Sequence, residues 1–180
     1  MKLYLVRHGE TDLNKAHIMQ GRSLNPDLNE NGVNSAKALR IELNNIVLDA
    51  CFTSPLLRSC STARILTDNK IEIKPDDRII ERYLGKLEGK DRKEYNVSKY
   101  WDINENSNDY DVEPIKNVLS RCEDFLKYLK DHYNDDANIL IVSHNAIIKA
   151  LINIVENKNY KQELELYSVP NCYYKCIEYK

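Results

Sequence analysis

LVRHGET, residues 5–11, places an arginine and a histidine where an apolar run gives way to a glycine turn. The apolar run, residues 3–6, is typical of a buried strand. In an open α/β sheet, ligands bind beyond the carboxyl ends of the strands. Arg7 and His8 therefore lie where a binding site is expected, and a cation beside a nucleophile favours a phosphate group as the ligand.

Further apolar runs along the chain predict a parallel sheet. Strand-like segments recur at residues 49–53, 71–74 and 139–143, and helical patterns lie between most of them. Two more strand-like segments, 163–169 and 172–179, flank a Pro-Asn turn and are expected at one edge of the sheet. This alternation predicts an α/β fold with three layers, α/β/α, in which a mostly parallel sheet carries helices on both faces.

Apolar residues spaced by three and four predict helices over residues 30–47 and 115–133, and the apolar segment 145–155 predicts another. For the helix after the second strand, the sequence also indicates where the helix begins. Ser54 supplies a hydroxyl at the N-cap, and Pro55 follows at the first helical position, where its missing N–H costs nothing. We therefore expect this helix to begin directly at the end of the strand.

The length and composition predict one domain. The chain has 180 residues, and no Pro-, Gly- or Ser-rich stretch divides it. Residues 91–111 differ from their surroundings, because Asn, Asp, Lys and Tyr accumulate there with weak periodicity. We expect a single domain over residues 1–180, with a partly helical excursion at about 91–111 over the site.

Charge and cysteine usage restrict the partners. The formal net charge is −2, and Asp91 interrupts the longest basic run, so no nucleic-acid partner is expected. Without a signal peptide or 18 consecutive apolar residues, we expect no membrane partner and a cytoplasmic location. The five scattered cysteines predict reduced thiols, with Cys172 and Cys176 too far apart along a strand to bridge. The oligomeric state stays open, and a homodimer is one of the states allowed.

Phosphate-binding residue types follow three strands of the predicted sheet. Arg7 and His8 follow the first strand, Arg58 lies in the first turn of the next helix, and His144 follows the strand at 139–143. The carboxyl ends of parallel strands meet at one edge. Guanidinium groups and helix N-terminal N–H groups bind phosphoryl oxygens. Nearby positive charge also lowers the pKa of His8 and favours the neutral ring, which is the form able to attack phosphorus.

A leaving alkoxide needs a proton, so the site requires a general acid. Glu81 and Glu88 are both candidates if partial burial raises the carboxyl pKa. The residues alone leave open whether either is instead a solvated loop carboxylate or a partner of Arg82. Glu10 and Thr11 are expected to fix the turn and the arginines.

Five motifs occur in a fixed order: RHGET with Asn14, QG at 20–21, SPLLR at 54–58, E-x-x-x-G-x-L-E-G at 81–89 and VSH at 142–144. This order resembles the histidine phosphatase superfamily, also called phosphoglycerate mutase-like. The resemblance covers nearly the whole chain apart from residues 91–111. It implies the phosphoglycerate mutase-like fold and hydrolysis of a small-molecule phosphate ester through a phosphohistidine, with no cofactor and no metal ion.

The resemblance also implies a role for each matched residue. His8 would be the nucleophile, Glu81 the proton donor chosen by the family spacing, and Asn14 a further phosphate ligand. The catalytic set implied in this way is Arg7, His8, Arg58, Glu81 and His144. The implied substrate- and phosphate-binding set is Arg7, Asn14, Gln20, Gly21, Arg58, His144 and Asn145.

Two positions depart from the family pattern. Asn145 stands where glycine usually follows the second histidine, which adds a side chain beside the phosphate, although asparagine tolerates positive φ. Leu87 replaces a common tryptophan and leaves that wall of the pocket apolar but smaller.

Two alternatives stay open. One is a cofactor-dependent phosphoglycerate mutase, although the excursion offers only Arg92 and Lys93 for a substrate carboxylate. The other is a non-catalytic phosphate-binding regulatory domain, and the presence of Asn145 in place of glycine is the main reason to consider it. The aromatic residues of the excursion are expected to pack under the loop for the most part, with a substrate wall or a subunit contact as the other interpretations. They are Tyr95, Tyr100, Trp101 and Tyr110.

Overall fold

The computed structural model describes residues 1–104, 109–156 and 168–180. Within these ranges, the chain folds into alternating strands and helices. The strands are β1 (Lys2–Arg7), β2 (Ala50–Thr53), β3 (Ile73–Pro75), β4 (Asn138–Ser143) and β5 (Tyr174–Glu178). The α-helices are α1 (Asp12–Lys15), α2 (Glu30–Leu43), α3 (Leu57–Thr67), α4 (Ile115–His132) and α5 (Asn145–Val155). Single-turn 3-10 helices occur at Asp77–Ile79, Gly85–Leu87, Arg92–Glu94 and Ser98–Trp101.

The strands form one sheet in the order β3-β2-β4-β1-β5. Strands β1 to β4 run parallel, and β5 runs antiparallel to β1 at the edge. The register pairs Arg7 with Ser143 and Thr53 with Val142, so the carboxyl ends of β1, β2 and β4 lie side by side. The predicted α/β fold with a mostly parallel sheet is confirmed.

Alternate residues of each strand face opposite sides of the sheet, and each side has its own core. Leu3 and Leu5 of β1 pack in the core built with α4 and α5. Tyr4 and Val6 of the same strand pack in the core built with α2 and α3. Helices therefore cover both faces, and the three-layer architecture is confirmed.

Two predicted helix boundaries are wrong. Helix α2 ends at Leu43 rather than at residue 47. Val47 is 80% exposed, so its side chain adds no packing against the core that would extend the helix. Helix α3 begins at Leu57 with Leu56 as its N-cap and without a side-chain cap. The hydroxyl of Ser54 bonds to His144 Nε2 at 2.7 Å and accepts from the Leu56 N–H at 3.4 Å, so it lies two residues before the N-cap instead of at it.

The end of the chain matches its prediction in part. The strand predicted at 172–179 is β5, which forms the expected edge. The strand predicted at 163–169 falls mostly outside the described residues, and Ser168 and Val169 are irregular. All five cysteines are free thiols, as predicted. Over the described residues, no helix combines the length and apolar character needed to cross a bilayer.

Candidate active site

A cavity of about 250 Å³ collects most of the residues that the sequence predicts for a site. The predicted residues that line it are Arg7, His8, Asn14, Gln20, Gly21, Arg58, Glu81 and Asn145. His144 is fully buried and does not line the cavity, but its ring centroid lies 5.0 Å from that of His8. The two histidines therefore meet at the carboxyl ends of β1 and β4.

His8 is held as a neutral imidazole with one free nitrogen. Its Nδ1–H donates to the Gly9 carbonyl at 2.7 Å, and a carbonyl can only accept, so Nδ1 carries the proton. Burial lowers the pKa of His8 well below its usual range, and the charges of Arg7 and Arg58 lower it further. The predicted direction is confirmed, although burial rather than charge is the larger cause. Nε2 is thereby left with an unshared electron pair.

The turn that carries His8 depends on a close approach between two glycines. A Cβ placed on Gly9 would lie 2.7 Å from the carbonyl oxygen of Gly32 in the first turn of α2. The Gly9 N–H donates to Thr62 Oγ1 at 3.0 Å, and the Thr62 hydroxyl donates to the Arg58 carbonyl at 2.7 Å. The turn that carries His8 is thus fixed to α2 on one side and α3 on the other.

His144 is positioned by one hydroxyl group from the β2–α3 connection and one from the first turn of α3. Its Nε2 lies 2.7 Å from Ser54 Oγ and 3.3 Å from Ser59 Oγ, whereas its Nδ1 has no hydrogen-bond partner among the described residues. Burial lowers the pKa of His144 well below its usual range, with Arg58 as the next cause. Nδ1 lies 4.0 Å from Glu81 Oε2, so the ring faces the proposed acid.

Two buried arginines supply the positive charge. Arg58 donates to the carbonyl oxygens of Gly21 at 2.7 Å and Leu24 at 3.0 Å, and Arg7 donates to the carbonyl of Val169. The Nε groups of both arginines are buried and have no partner among the described residues. Burial lowers the pKa of each arginine to about 10, so both stay charged at neutral pH. An oxyanion in the cavity would offer these donors the acceptors they lack.

Glu81 has the environment of a proton donor. Burial raises its pKa above the usual range of a carboxyl group, partly offset by the Arg82 N–H that donates to Oε1 at 2.8 Å. This is the predicted direction. Glu88, the other candidate, does not line the cavity, because its carboxylate accepts from the backbone N–H groups of Arg22, Ser23 and Leu84. The structure therefore separates a carboxyl group with a raised pKa at the cavity from a carboxylate that connects loops by hydrogen bonds.

The segment from Glu10 to Gly21 contributes smaller groups. Asn14 Oδ1 accepts from the N–H and hydroxyl of Thr11, which caps α1. Glu10 accepts from the side chains of Asn29 and Asn31. Glu10 and Thr11 thus fix the turn, as predicted. Among the described residues neither of them bonds to an arginine, so the prediction that they also fix the arginines is wrong. Gly21 has φ +54°, and its carbonyl holds Arg58.

The N-terminus of α5 adds backbone donors beside the arginines. His144 is its N-cap without a side-chain cap, and the first bond within the helix runs from the Ile148 N–H to the His144 carbonyl at 2.9 Å. The N–H groups of Asn145 and Ala146 precede that bond, and both residues line the cavity. Free N–H groups at a helix N-terminus attract anions.

The side chain of Asn145 is directed to the end of the chain. Its Oδ1 accepts from the Val169 N–H at 2.9 Å, and the Val169 carbonyl accepts from Arg7. Next along the chain, Asn171 Nδ2 donates to the His8 carbonyl at 3.0 Å and to Asn14 Oδ1 at 3.3 Å. We name residues 169–173 the C-terminal clasp. It was missed by the sequence analysis, which interpreted Pro170-Asn171 only as a turn.

The excursion contributes part of the cavity surface. Arg92, Val97, Tyr100 and Trp101 line the cavity, whereas Tyr95 and Tyr110 pack edge-on against each other. Tyr100 and Trp101 are also buried in hydrophobic clusters, so the predicted packing under the loop is confirmed, and these two rings line the cavity as well. Among the described residues, no group of three or more His, Cys, Asp and Glu side chains is arranged to hold a metal ion.

Comparison with known proteins shows the family to which the chain belongs. The sequence model of the histidine phosphatase superfamily (branch 1) matches residues 3–180. Phosphoserine phosphatase 1 of Hydrogenobacter thermophilus is 34% identical over 160 residues, which are 84% of this chain and 74% of the relative. The adenosylcobalamin/α-ribazole phosphatase of Salmonella typhimurium is 32% identical over 161 residues, which are 84% and 78%. Phosphoglycerate mutases also occur among the relatives.

Solved structures share the fold. A mycobacterial glucosyl-3-phosphoglycerate phosphatase superposes with a TM-score of 0.87 at 22% identity, covering 97% of this chain and 91% of the other. At that identity, the likeness concerns the architecture alone.

Proposed function

The chain belongs to the histidine phosphatase superfamily, and from that premise we propose that it hydrolyses a small phosphate monoester through a phosphohistidine at His8. The observation that carries this proposal is the neutral His8 ring, with Nδ1–H donated to Gly9 and Nε2 free, in a cavity that also holds Arg7 and Arg58. Such a ring is a nucleophile beside a site for the group it attacks.

In the first step, His8 Nε2 attacks phosphorus and the bond from phosphorus to the leaving oxygen breaks. Glu81, protonated because its pKa is raised, gives its proton to that oxygen and becomes a carboxylate. The leaving group departs as a neutral alcohol, and the phosphoryl group remains on His8.

In the second step, water replaces the alcohol. The Glu81 carboxylate removes a proton from the water, whose oxygen attacks phosphorus while the phosphorus–nitrogen bond breaks. Inorganic phosphate leaves, His8 regains its free electron pair, and Glu81 is protonated again. One carboxyl group thus serves both half-reactions.

The surrounding donors hold the phosphoryl oxygens during both steps. We assign this role to Arg7, Arg58 and the N–H groups at the start of α5, with Asn14, Gln20 and Gly21 at the same cavity. His144 acts beside them, since its unpartnered Nδ1 faces Glu81 and its ring lies next to His8. In phosphoryl transfer, positioning and charge stabilisation supply most of the rate enhancement.

The test is phosphate release from a panel of phosphorylated metabolites and p-nitrophenyl phosphate. We expect turnover by the wild-type protein and none by His8→Ala. His132→Ala is the matched control, because His132 is exposed and bonds only to Tyr128 of its own helix among the described residues. Hydrolysis by His8→Ala at the wild-type rate would refute the proposal.

A phosphoglycerate mutase is the second candidate, favoured by the cation Arg92 at the cavity and by mutases among the relatives. Incubation with 3-phosphoglycerate and catalytic 2,3-bisphosphoglycerate detects a mutase by the 2-phosphoglycerate formed, whereas a phosphatase is detected by inorganic phosphate released from an ester of the panel. A non-catalytic regulatory domain would give neither product in either assay.

Three finer points belong to the same proposal. We propose that residues 1–180 act as one domain with the excursion over the site, as the cavity-lining Val97 and Trp101 support. Metal-independent chemistry is supported by the arginine charges, and activity should survive exhaustive dialysis against EDTA. A cytoplasmic location is supported by the five free thiols and is tested by cell fractionation.

A further inference from the structure

The cavity has an apolar wall in addition to its arginines. We define the apolar wall as Met19, Leu84, Leu87, Val97, Tyr100 and Val112, all of which line the cavity. These residues belong to a cluster distinct from the two cores that flank the sheet. The wall is therefore a separate packed unit whose accessible side faces the site.

Part of the apolar wall comes from the same chain segment as Glu81. Leu84 and Leu87 follow Glu81 closely in the chain and line the same cavity. Glu81 protonates the leaving oxygen in the proposed reaction, so the alcohol must lie on the Glu81 side of the phosphoryl group. With the phosphoryl group of the ester bound by Arg7 and Arg58, the apolar wall is the surface available to the alcohol part.

The wall is held in place before any ligand binds. Trp101 adjoins it and carries the Arg82 guanidinium 5.4 Å and the Lys149 ammonium 4.6 Å from its ring centroid. Arg82 also donates to the carbonyl oxygens of Tyr100 at 2.6 Å and Glu113 at 2.7 Å. A preorganised apolar surface loses little conformational entropy on binding.

The charges around the wall discriminate between leaving groups. Among the described residues that line the cavity, Glu81 is the only carboxylate, and it is the proposed acid. An ammonium group on the alcohol would find no other anion there and would lose water. Within the described part of the chain, two cations besides Arg7 and Arg58 line the cavity. Arg82 is buried but already donates to the Tyr100 and Glu113 carbonyls. Arg92 is exposed, so solvent screens its attraction for a carboxylate.

Two neutral polar atoms accompany the wall. Gln20 Oε1 and the Tyr100 hydroxyl are buried and have no hydrogen-bond partner among the described residues. Both residues line the cavity. A hydroxyl or N–H group on the alcohol would supply partners without adding charge.

From the wall, the charges and these polar atoms, we infer that the substrate is the phosphate ester of an uncharged alcohol with an aromatic or alicyclic body. This inference rests on the proposed function, because it takes the phosphoryl group to be held by the arginines. It disfavours amino-acid and amino-alcohol phosphates as well as phosphorylated carboxylic acids.

Non-hydrolysable phosphonates test the inference by titration calorimetry on the wild-type protein. Propylphosphonate, 2-aminoethylphosphonate and 2-carboxyethylphosphonate have similar sizes and differ in charge, and benzylphosphonate adds a ring. We expect benzylphosphonate to bind about tenfold tighter than propylphosphonate, as burial of a ring predicts. Both charged compounds should bind more weakly than propylphosphonate. Equal or tighter binding of either charged compound, or no gain from the ring, would overturn the inference.

A charge introduced into the wall should reverse the preference. Val97→Asp places a carboxylate at a partly buried wall position, so 2-aminoethylphosphonate should then bind tighter than propylphosphonate. Ile103→Asp is the matched control, because Ile103 lies in the same excursion, is 36% exposed and does not line the cavity. The control should keep the wild-type order. An unchanged order in a folded Val97→Asp protein, verified by thermal unfolding, would overturn the inference.

A parallel assay separates this inference from the proposed function. Benzyl phosphate and O-phosphoserine are both esters of primary alcohols, and phosphate release from each is measured with the same protein. Turnover with the expected phosphonate order supports both proposals. Turnover with phosphoserine preferred overturns only the substrate class, whereas the expected binding order without any turnover overturns only the hydrolysis.

Discussion

Two regions meet at the phosphate end of the cavity, and they contribute different chemistry. The segments that follow the strands, which carry His8, Arg58 in the first turn of α3 and His144, supply ring nitrogens and guanidinium groups. The C-terminal clasp, residues 169–173, supplies backbone groups and an amide side chain. Its Val169 carbonyl holds Arg7, and its Cys172 N–H donates to the Arg7 and His8 carbonyls at 3.1 and 3.3 Å.

The difference separates groups that react from groups that hold them. A residue that touches the phosphoryl group acts on the transition state directly, so its removal costs the full stabilisation of developing charge. A clasp residue acts through one hydrogen bond to such a group, which is worth about 1 kcal/mol. Variants on the strand-end side should therefore lose orders of magnitude in rate, whereas clasp variants lose small factors.

Glu81→Gln should have the strongest effect apart from loss of the nucleophile. The amide cannot give up a proton, so kcat should fall about 10²- to 10⁴-fold, the usual contribution of a general acid. In the wild type, kcat/KM should fall as pH rises through the raised pKa of Glu81, because the acid is lost.

The pH profile of the Glu81→Gln protein is the accompanying control. Its kcat/KM should lack the falling limb, since the titrating group is gone. On the acid side, His8 should stay neutral in both proteins at pH values below the usual pKa of a histidine, because its own pKa is lowered. A falling limb that persists unchanged in the variant would assign the general acid to another residue.

Arg58→Ala should follow, with a loss of about 10²- to 10³-fold in kcat/KM, which is typical for removal of one preorganised donor. Arg40→Ala is a suitable control, because the Arg40 side chain is 42% exposed and pairs with Asp68 at the C-terminal end of α3, whereas Arg58 lies in the first turn of that helix. A loss below about fivefold would mean that Arg58 serves only to hold the loop at Gly21 and Leu24.

Asn145→Ala tests the contact between α5 and the clasp. The variant removes the acceptor for the Val169 N–H and so loosens the Val169 carbonyl that holds Arg7. The affinity for phosphate should fall about 5- to 10-fold and KM should rise by the same factor, with a smaller change in kcat. Asn145→Gly, the residue usual in the family, should behave alike.

A double-mutant cycle shows whether Asn145 acts through Arg7. In an Arg7→Lys protein, which lacks the guanidinium donor, Asn145→Ala should cause little further loss of inorganic phosphate binding. Fully additive effects would disconnect the clasp from the arginine.

Asn171→Ala should have the smallest effect, about threefold in kcat/KM, because the His8 carbonyl that it leaves still accepts from Cys172. Asn134→Ala, outside the clasp and the cavity, is the matched asparagine control for initial-rate assays. A loss as large as that of Arg58→Ala would erase the distinction between reacting and holding groups.

The same two regions explain how far the sequence could be interpreted. Strand-end residues are predictable because each follows a local apolar run, and parallel strands bring those ends together. This argument placed His8 near His144 and put Arg58 at the same site, whereas Glu81 was chosen over Glu88 only by the spacing of the family resemblance. The clasp has no such local signal, because Asn171 bonds to His8 across 163 positions and resembles an ordinary turn residue.

The start of α3 failed for a related reason. Ser54 and Pro55 have the pattern of a helix N-terminus, and propensity treats the hydroxyl as a local cap. In the structure that hydroxyl binds His144, 90 positions away, and α3 starts later. Long-range hydrogen bonds of single polar side chains leave no periodic trace in the sequence, so they become visible only in the fold.

The most direct measurement is trapping of the covalent intermediate. The wild-type protein is mixed with a ³²P-labelled ester and quenched rapidly, and the labelled peptide is identified. An acid-labile label on His8 is predicted in the wild type and in Asn145→Ala, and no label in His8→Ala. Turnover without label on His8, or label on another residue, would contradict the account.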